Sequence, residues 1–144
     1  MDAGANIGSW IGTFHKKMGN KGRIYAFEPQ PEASAKILEL KISNCQVVQA
    51  ALGSQPGTMT FFRETQTDTR GSLFERHDSF VVGRRIEVEV IRLDDFVQAH
   101  HINRIDFMKM DLEGGEYEAL KGTAESVCGL VPSVPFLLSL AFLT

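Results

Sequence analysis

The sequence predicts an α/β domain in which helices cover the faces of a parallel sheet and an antiparallel hairpin is inserted beside it. Three observations carry this. Helical and strand-like segments alternate through the first fifty residues, the order that builds parallel sheets. The strand-like segments are short continuous apolar runs, as in strands buried on both faces. One later segment, by contrast, alternates apolar and acidic residues, the period of a half-exposed strand.

Taken in order, Asp2-Ala-Gly-Ala-Asn-Ile-Gly8 is a glycine-rich turn. Trp10, Ile11, Phe14 and Met18 follow at helical spacing and predict a helix with one buried face. Gly19 to Gly22 stops it, and Arg23 to Glu28 reads as a buried parallel strand ending in an acid. Pro29 and Pro31 break that strand. Pro31 suits the first turn of a second helix, and Glu32 suits the positive end of its dipole. This helix is expected to reach about Ser43, with Ala33, Ile37, Leu38 and Ile42 inward, and Gln46 to Leu52 is the next expected strand.

Gly57 to Glu64 then reads as a strand, and Ile86, Val88 and Val90 alternate with Glu87 and Glu89. Together they predict an antiparallel hairpin over 57–92, with Thr65 to Val82 as a long polar loop. Asp94 or Asp95 is expected to cap a short helix ending near His100. Ile105 to Leu112 is another buried strand. Gly114 and Gly115 turn it into a helix with Tyr117, Leu120, Ala124 and Val127 inward, and the apolar stretch Val134 to Leu143 is a last strand.

With 144 residues the chain suffices for one domain spanning 1–144. Its net charge is −3 and its arginines (63, 70, 76, 84 and 85) are scattered, so no basic stripe suggests a nucleic-acid partner. Cys45 and Cys128 stand far apart in no metal-ligand spacing. They read as free thiols in a reducing cytosol, with no metal site expected. The first residues do not resemble a signal peptide, and Val134 to Leu143 is about half the roughly 20 residues of a membrane helix. A cytoplasmic protein without a membrane span is therefore expected.

Two features point to chemistry. Gly4 and Gly8, after Asp2, would let backbone approach a ligand without a Cβ clash, with the free N–H groups of the next helix facing it. A dinucleotide fold uses Gly-x-Gly-x-x-Gly to hold pyrophosphate. The Gly-x-x-x-Gly spacing differs, and Asp2 would repel pyrophosphate but hold an ammonium group. Glu28 stands 20 residues past Gly8 at a strand end, where a nucleoside-binding fold places the carboxylate that accepts both ribose hydroxyls. A plain strand-to-helix turn and a surface acid are the alternatives.

Asp-Ala-Gly-Ala-Asn-Ile-Gly (2–8), Phe-Glu-Pro-Gln-Pro (27–31), Ser72-Leu73, Arg-Leu-Asp-Asp (92–95), Ile-Asp-Phe-Met-Lys-Met-Asp-Leu-Glu-Gly (105–114) and Leu-Lys-Gly (120–122) occur in this order. In that order they resemble the FkbM-type methyltransferases over roughly residues 2–124. The resemblance implies a Rossmann-like class I methyltransferase sheet and S-adenosyl-L-methionine as cofactor. It also implies O-methylation of a sugar, polyketide or other small-molecule hydroxyl. It places Asp2, Gly4, Asn6 and Gly8 in the cofactor loop, Glu28 on the ribose, and Lys109, Asp111 and Glu113 at the reacting centre.

Residues 109, 111 and 113 would point the same way from a strand. The acceptor hydroxyl must lose its proton, and Asp111 is the candidate base, with Lys109 holding it ionised. A structural Lys–Asp pair is the other reading. His100 and His101 read as a helix end. Against the family pattern, only Met1 precedes the acid of the first motif, and the stretch from Gly129 matches poorly. A partial domain with an incomplete first strand and no closing C-terminal hairpin is therefore expected, as is a chain that is not a competent enzyme by itself. The other function classes are an inactive remnant and a nicotinamide-dependent oxidoreductase, and the glycine spacing argues against the latter. The loop 65–82 is expected to shape the acceptor site.

Overall fold

The structure, a computed structural model, describes residues 1–19, 21–63, 71–72, 84–126 and 136–138. In chain order the elements are β1 (Asp2–Ala3), α1 (Ile11–Met18), β2 (Ile24–Phe27), α2 (Pro31–Glu39), β3 (Cys45–Val48), β4 (Ala51–Leu52) and β5 (Gly57–Arg63). They continue with β6 (Gly71–Ser72), β7 (Arg84–Ile91), α3 (Leu93–Ala99), β8 (Met108–Met110), α4 (Glu116–Lys121) and β9 (Phe136–Leu138).

The central sheet runs β3-β2-β1-β8-β9, all parallel. β1 is two residues long yet central: Asp2 pairs with Ala26 on one side and Lys109 on the other. Backbone bonds beyond it hold the register, from Lys109 N–H to the Met1 carbonyl and from Asp111 N–H to the Ala3 carbonyl, each 3.0 Å. Apolar clusters fill both faces. Ile11 of α1 and Ile37 of α2 pack with Ile24 and Ala26 on one. Phe27, Leu93, Phe96, Met108 and Met110 form the core of the other.

The second sheet, β4-β7-β5-β6, contains the antiparallel hairpin. Gly57 pairs with Val90 and Arg63 with Arg84. Its inward residues Phe61, Val88 and Val90 are buried together with Ala51, while Glu87 and Glu89 are exposed, as the alternation predicts. Of the loop predicted between 65 and 82, only Gly71 and Ser72 lie within the described residues, as β6. Val127, Cys128 and most of the tail from Val134 lie outside them.

Several local expectations are corrected. The strand predicted over Gln46 to Leu52 is two strands in two sheets. Ala50 N–H bonds the Val48 carbonyl at 2.9 Å, and this tight turn sends the chain from β3, beside β2, to β4, beside β7. α2 stops at Glu39 because Lys41 takes a left-handed φ of 50°. Leu38 is 63% exposed and Trp10 46%. Tyr117 also lies outward, with the Lys121 ammonium 4.7 Å from its ring centroid. Ala124 is exposed as well. α3 has no side-chain cap. Asp94 is instead buried and accepts hydrogen bonds from the backbone N–H of Ser126 (2.8 Å) and from Arg92 (3.1 Å). The Arg-Leu-Asp-Asp motif thus ties α3 to the chain after α4.

Candidate functional site

The carboxyl ends of β1, β2, β4 and β8 open onto one cleft. Gly4, Asn6, Glu28, Gln30, Asp111 and Glu113 line its polar part, and Ala51, Leu52 and Phe61 line its apolar part. Five residues expected from sequence, Gly4, Asn6, Glu28, Asp111 and Glu113, therefore meet here. Asp2, Lys109 and Gly8 do not line the cleft.

The loop after β1 is built by backbone. Gly4, Asn6 and Gly8 have φ of 73°, 50° and 84°, a region that favours glycine and tolerates asparagine. Both glycines also meet a packing requirement. A Cβ on Gly4 would stand 1.9 Å from the carbonyl oxygen of Asp111. One on Gly8 would stand 2.8 Å from the Leu40 side chain. The missing Cβ of Gly4 lets the end of β8 pass, and that of Gly8 lets α2 approach α1. Gly122 does similar work in the Leu-Lys-Gly motif, where a Cβ would stand 2.0 Å from the Gly53 carbonyl.

Glu28 is only 4% exposed. Its Oε2 accepts the Asn6 N–H at 2.8 Å and its Oε1 the Gln30 N–H at 3.0 Å. Burial pushes its carboxyl above the usual carboxylate range, outweighing these two bonds. The Oδ1 of Asn6 is buried with no hydrogen-bond partner among the described residues. A buried acceptor of this kind costs free energy until a donor reaches it.

Below the cleft Lys109 joins two acids. Its Nζ stands 3.2 Å from Asp2 Oδ1, 3.6 Å from Asp111 Oδ2 and 3.3 Å from the Gly4 carbonyl. Asp2 is fully buried, and burial raises its carboxyl despite the Lys109 charge. Lys109 and Asp111 do come together, as strand alternation predicts, although Asp111 stands one residue past the end of β8. Glu113 reaches the cleft by another route, because β8 ends at Met110 and Glu113 sits in a left-handed turn at φ 51°. Glu116 fixes that turn: its carboxylate accepts Leu112 N–H at 2.7 Å and Gly114 N–H at 2.9 Å. The sequence reading missed Glu116, Gln30 and Phe61. Gln30 is signalled by its place in Phe-Glu-Pro-Gln-Pro. Phe61 has no local signal, because the fold of the hairpin brings it to the cleft.

The sequence profile of the methyltransferase FkbM domain matches residues 2–137. The chain belongs to the FkbM methyltransferase family. Three curated relatives agree. Methyltransferase 1 of Beauveria bassiana is 28% identical over 93% of this chain and 61% of its own length. The 2-O-methyltransferase NoeI of Sinorhizobium fredii is 27% identical over 88% and 58%. The hexuronic acid methyltransferase AglP of Haloferax volcanii is 25% identical over 85% and 50%. This FkbM chain thus spans between half and about three-fifths of the length of these relatives. A crystal structure of an FkbM methyltransferase from Methylobacillus flagellatus KT shares the fold at a TM-score of 0.64 and 19% identity, over 94% of this chain and 31% of that one. Among the described residues no helix is long and apolar enough to cross a membrane.

Proposed function

We propose that this chain is the cofactor-binding part of an S-adenosylmethionine-dependent O-methyltransferase whose acceptor is a small-molecule hydroxyl, a sugar being the first candidate. The observation that carries the reading is the pairing, in one cleft, of the buried Glu28 carboxylate with the buried, unpartnered Oδ1 of Asn6. These are acceptors awaiting donors, and a nucleoside with an amino-acid tail brings hydroxyl and ammonium donors. No Lys, Arg or His lines the cleft among the described residues, an arrangement unsuited to the pyrophosphate of a nicotinamide cofactor. The sugar reading draws on two relatives, one named a 2-O-methyltransferase and the other a hexuronic acid methyltransferase.

In this reading Glu28 accepts the ribose hydroxyls, and Asn6 accepts a donor from the same ligand. S-adenosylmethionine, when bound, supplies an electrophilic methyl group on a sulfonium. Asp111, at the cleft's edge, would take the proton from the acceptor hydroxyl that receives this methyl group. Lys109 holds Asp111 and Asp2 in place. Glu116 holds the turn that aims Asp111 and Glu113 at the cleft, because positioning is the larger share of such a transfer. Titration calorimetry with S-adenosylhomocysteine and, separately, with NAD tests the proposal. Saturable binding of the former alone is expected; binding of NAD alone, or of neither, overturns it.

A further inference from the structure

Two of the arginines that are scattered in the sequence are brought together by the fold. β5 and β7 pair in continuous antiparallel register from Gly57 with Val90 to Arg63 with Arg84, so Arg63 and Arg84 stand directly opposite one another. Alternation along a strand puts this pair on the same face of the hairpin as Phe61 and Ile86, one rung further along and about 7 Å away. Phe61 lines the cleft. The other rungs of that face, Met59 with Val88 and Gly57 with Val90, bring no carboxylate, whereas Glu87 and Glu89 pair with Thr60 and Thr58 on the opposite face. On its other side Arg63 pairs with Gly71 of β6, which has no side chain to fill the space. Like charges placed directly opposite, with Cβ atoms about 5 Å apart, destabilise a ladder. An anion between them reverses the sign, because the guanidinium fork matches the oxygens of a carboxylate or phosphate.

We infer that the Arg63–Arg84 rung recognises an anionic group on the methyl acceptor, a carboxylate or phosphate remote from the methylated hydroxyl, and so selects acidic sugars over neutral ones. The inference rests on the function proposed above. Glu28, Asp111 and Glu113 line the cleft, and these acids repel an anionic acceptor. Two cationic residues one rung past Phe61 offset that repulsion and hold the anion apart from the acids, with the uncharged ring between. Binding energy from such a remote group serves to orient the hydroxyl that reacts. The rung belongs to the second sheet, whereas the glycine loop follows β1 of the central sheet. The carboxylate of the cofactor's amino-acid tail has the same chemistry as an acidic sugar, and the experiment separates the two. Arg85 pairs with Phe62 on the opposite face and is exposed, so it adds a charge nearby without joining the rung.

The experiment is calorimetric titration of the chain, saturated with S-adenosylhomocysteine, with D-glucose, D-glucuronate and D-glucose 6-phosphate. These probes share a ring and differ in the group at one carbon. In the wild type at least one of the two anions is expected to bind about tenfold more tightly than glucose, and the tighter one names the group. Arg63→Gln combined with Arg84→Gln should bring that preference close to one while the affinity for S-adenosylhomocysteine stays the same. Arg85→Gln removes one charge nearby and should leave most of the preference in place. Glucose bound as tightly as both anions, binding of neither anion, or a preference that survives the double variant overturns the inference. So does an equal loss in Arg85→Gln, the sign of a general field. A double variant that binds S-adenosylhomocysteine more weakly assigns the arginines to the cofactor's tail and also overturns it. Failure of the wild type to bind S-adenosylhomocysteine overturns the proposed function, and this inference falls with it. If the double variant does not fold, Arg63→Gln and Arg84→Gln are measured singly. Each should lower the preference, and a preference unchanged in both counts against the inference.

Discussion

The carboxyl edge of the parallel sheet and the antiparallel hairpin beside it solve opposite problems. The hairpin follows the ordinary rule for a half-covered sheet. Phe61, Val88 and Val90 face the core, and Glu87 and Glu89 face water. The sheet edge breaks that rule. It buries Asp2, Glu28 and Lys109, each less than a twentieth exposed, and it leaves Asp2 Oδ2 and Asn6 Oδ1 without partners among the described residues. One region is arranged for stability, and the other, in the function proposed here, gives up stability to keep acceptors ready for a ligand. The same substitution chemistry should therefore act very differently in the two places.

The largest effect is expected at Gly4. Alanine there meets a left-handed backbone, costing roughly 1–2 kcal/mol. It also sets a Cβ 1.9 Å from the Asp111 carbonyl oxygen, which only a backbone shift can relieve. Against the 5–15 kcal/mol that holds a typical domain together, Gly4→Ala should remove the cooperative urea transition or move its midpoint far down. An unshifted midpoint would show that β1 and β8 do not approach as described.

Lys109→Met comes next. It leaves Asp2 fully buried without its cation, and removing one partner of a buried pair costs about 3–5 kcal/mol. Restoring neutrality with Asp2→Asn in the same chain should recover part of the loss. A double variant as unstable as the sum of the two single ones would argue that Lys109 and Asp2 do not interact.

A pH series gives a smaller, signed effect. Burial raises Glu28 above its ordinary value of 4.5, so the folded state binds its proton more readily than the unfolded state. The stability Glu28 contributes is full below that ordinary value and is lost as pH rises through the raised one. Glu28→Gln carries no such charge. Without ligand, the stability of Glu28→Gln relative to the wild type, measured by urea unfolding, should therefore increase between about pH 4 and pH 7. A difference that stays flat or declines over this range contradicts the burial argument. Smallest of all is Glu87→Ala in the hairpin. It removes one exposed hydrogen bond from Thr60 and should change stability by no more than about 0.5 kcal/mol. A larger loss would mean that the hairpin surface is not the ordinary solvated face described.

Much of this contrast is legible in the residues. Alternation at 86–90 predicts the hairpin, and the acid-ended run at 23–28 predicts β2 and Glu28. The apolar run at 105–112 likewise predicts β8. What is not legible depends on backbone meeting backbone across the chain. The turn at Ala50 that splits one predicted strand between two sheets has no glycine or proline to mark it. The partners of Gly4, Gly8 and Gly122 are carbonyl groups and side chains distant in sequence, so the packing role of these glycines does not show in the residues around them. Glu116 looks like an ordinary acid in a first helical turn until its carboxylate is seen to hold Leu112 and Gly114. Leu38 and Tyr117 carry helical periodicity, but helices of nine and six residues bury too narrow a stripe to include them.

The central claim is that the unfavourable burial of Glu28 exists for the ligand. The most direct measurement is calorimetric affinity for S-adenosylhomocysteine in the wild type and in Glu28→Gln, with the thermal transition of each recorded alongside. Charge-assisted hydrogen bonds are worth roughly 1.5–3 kcal/mol each, so Glu28→Gln should bind at least about tenfold more weakly while still unfolding cooperatively. Equal affinity in the two proteins would contradict the account, since a buried carboxylate that the ligand does not use would have no part in binding.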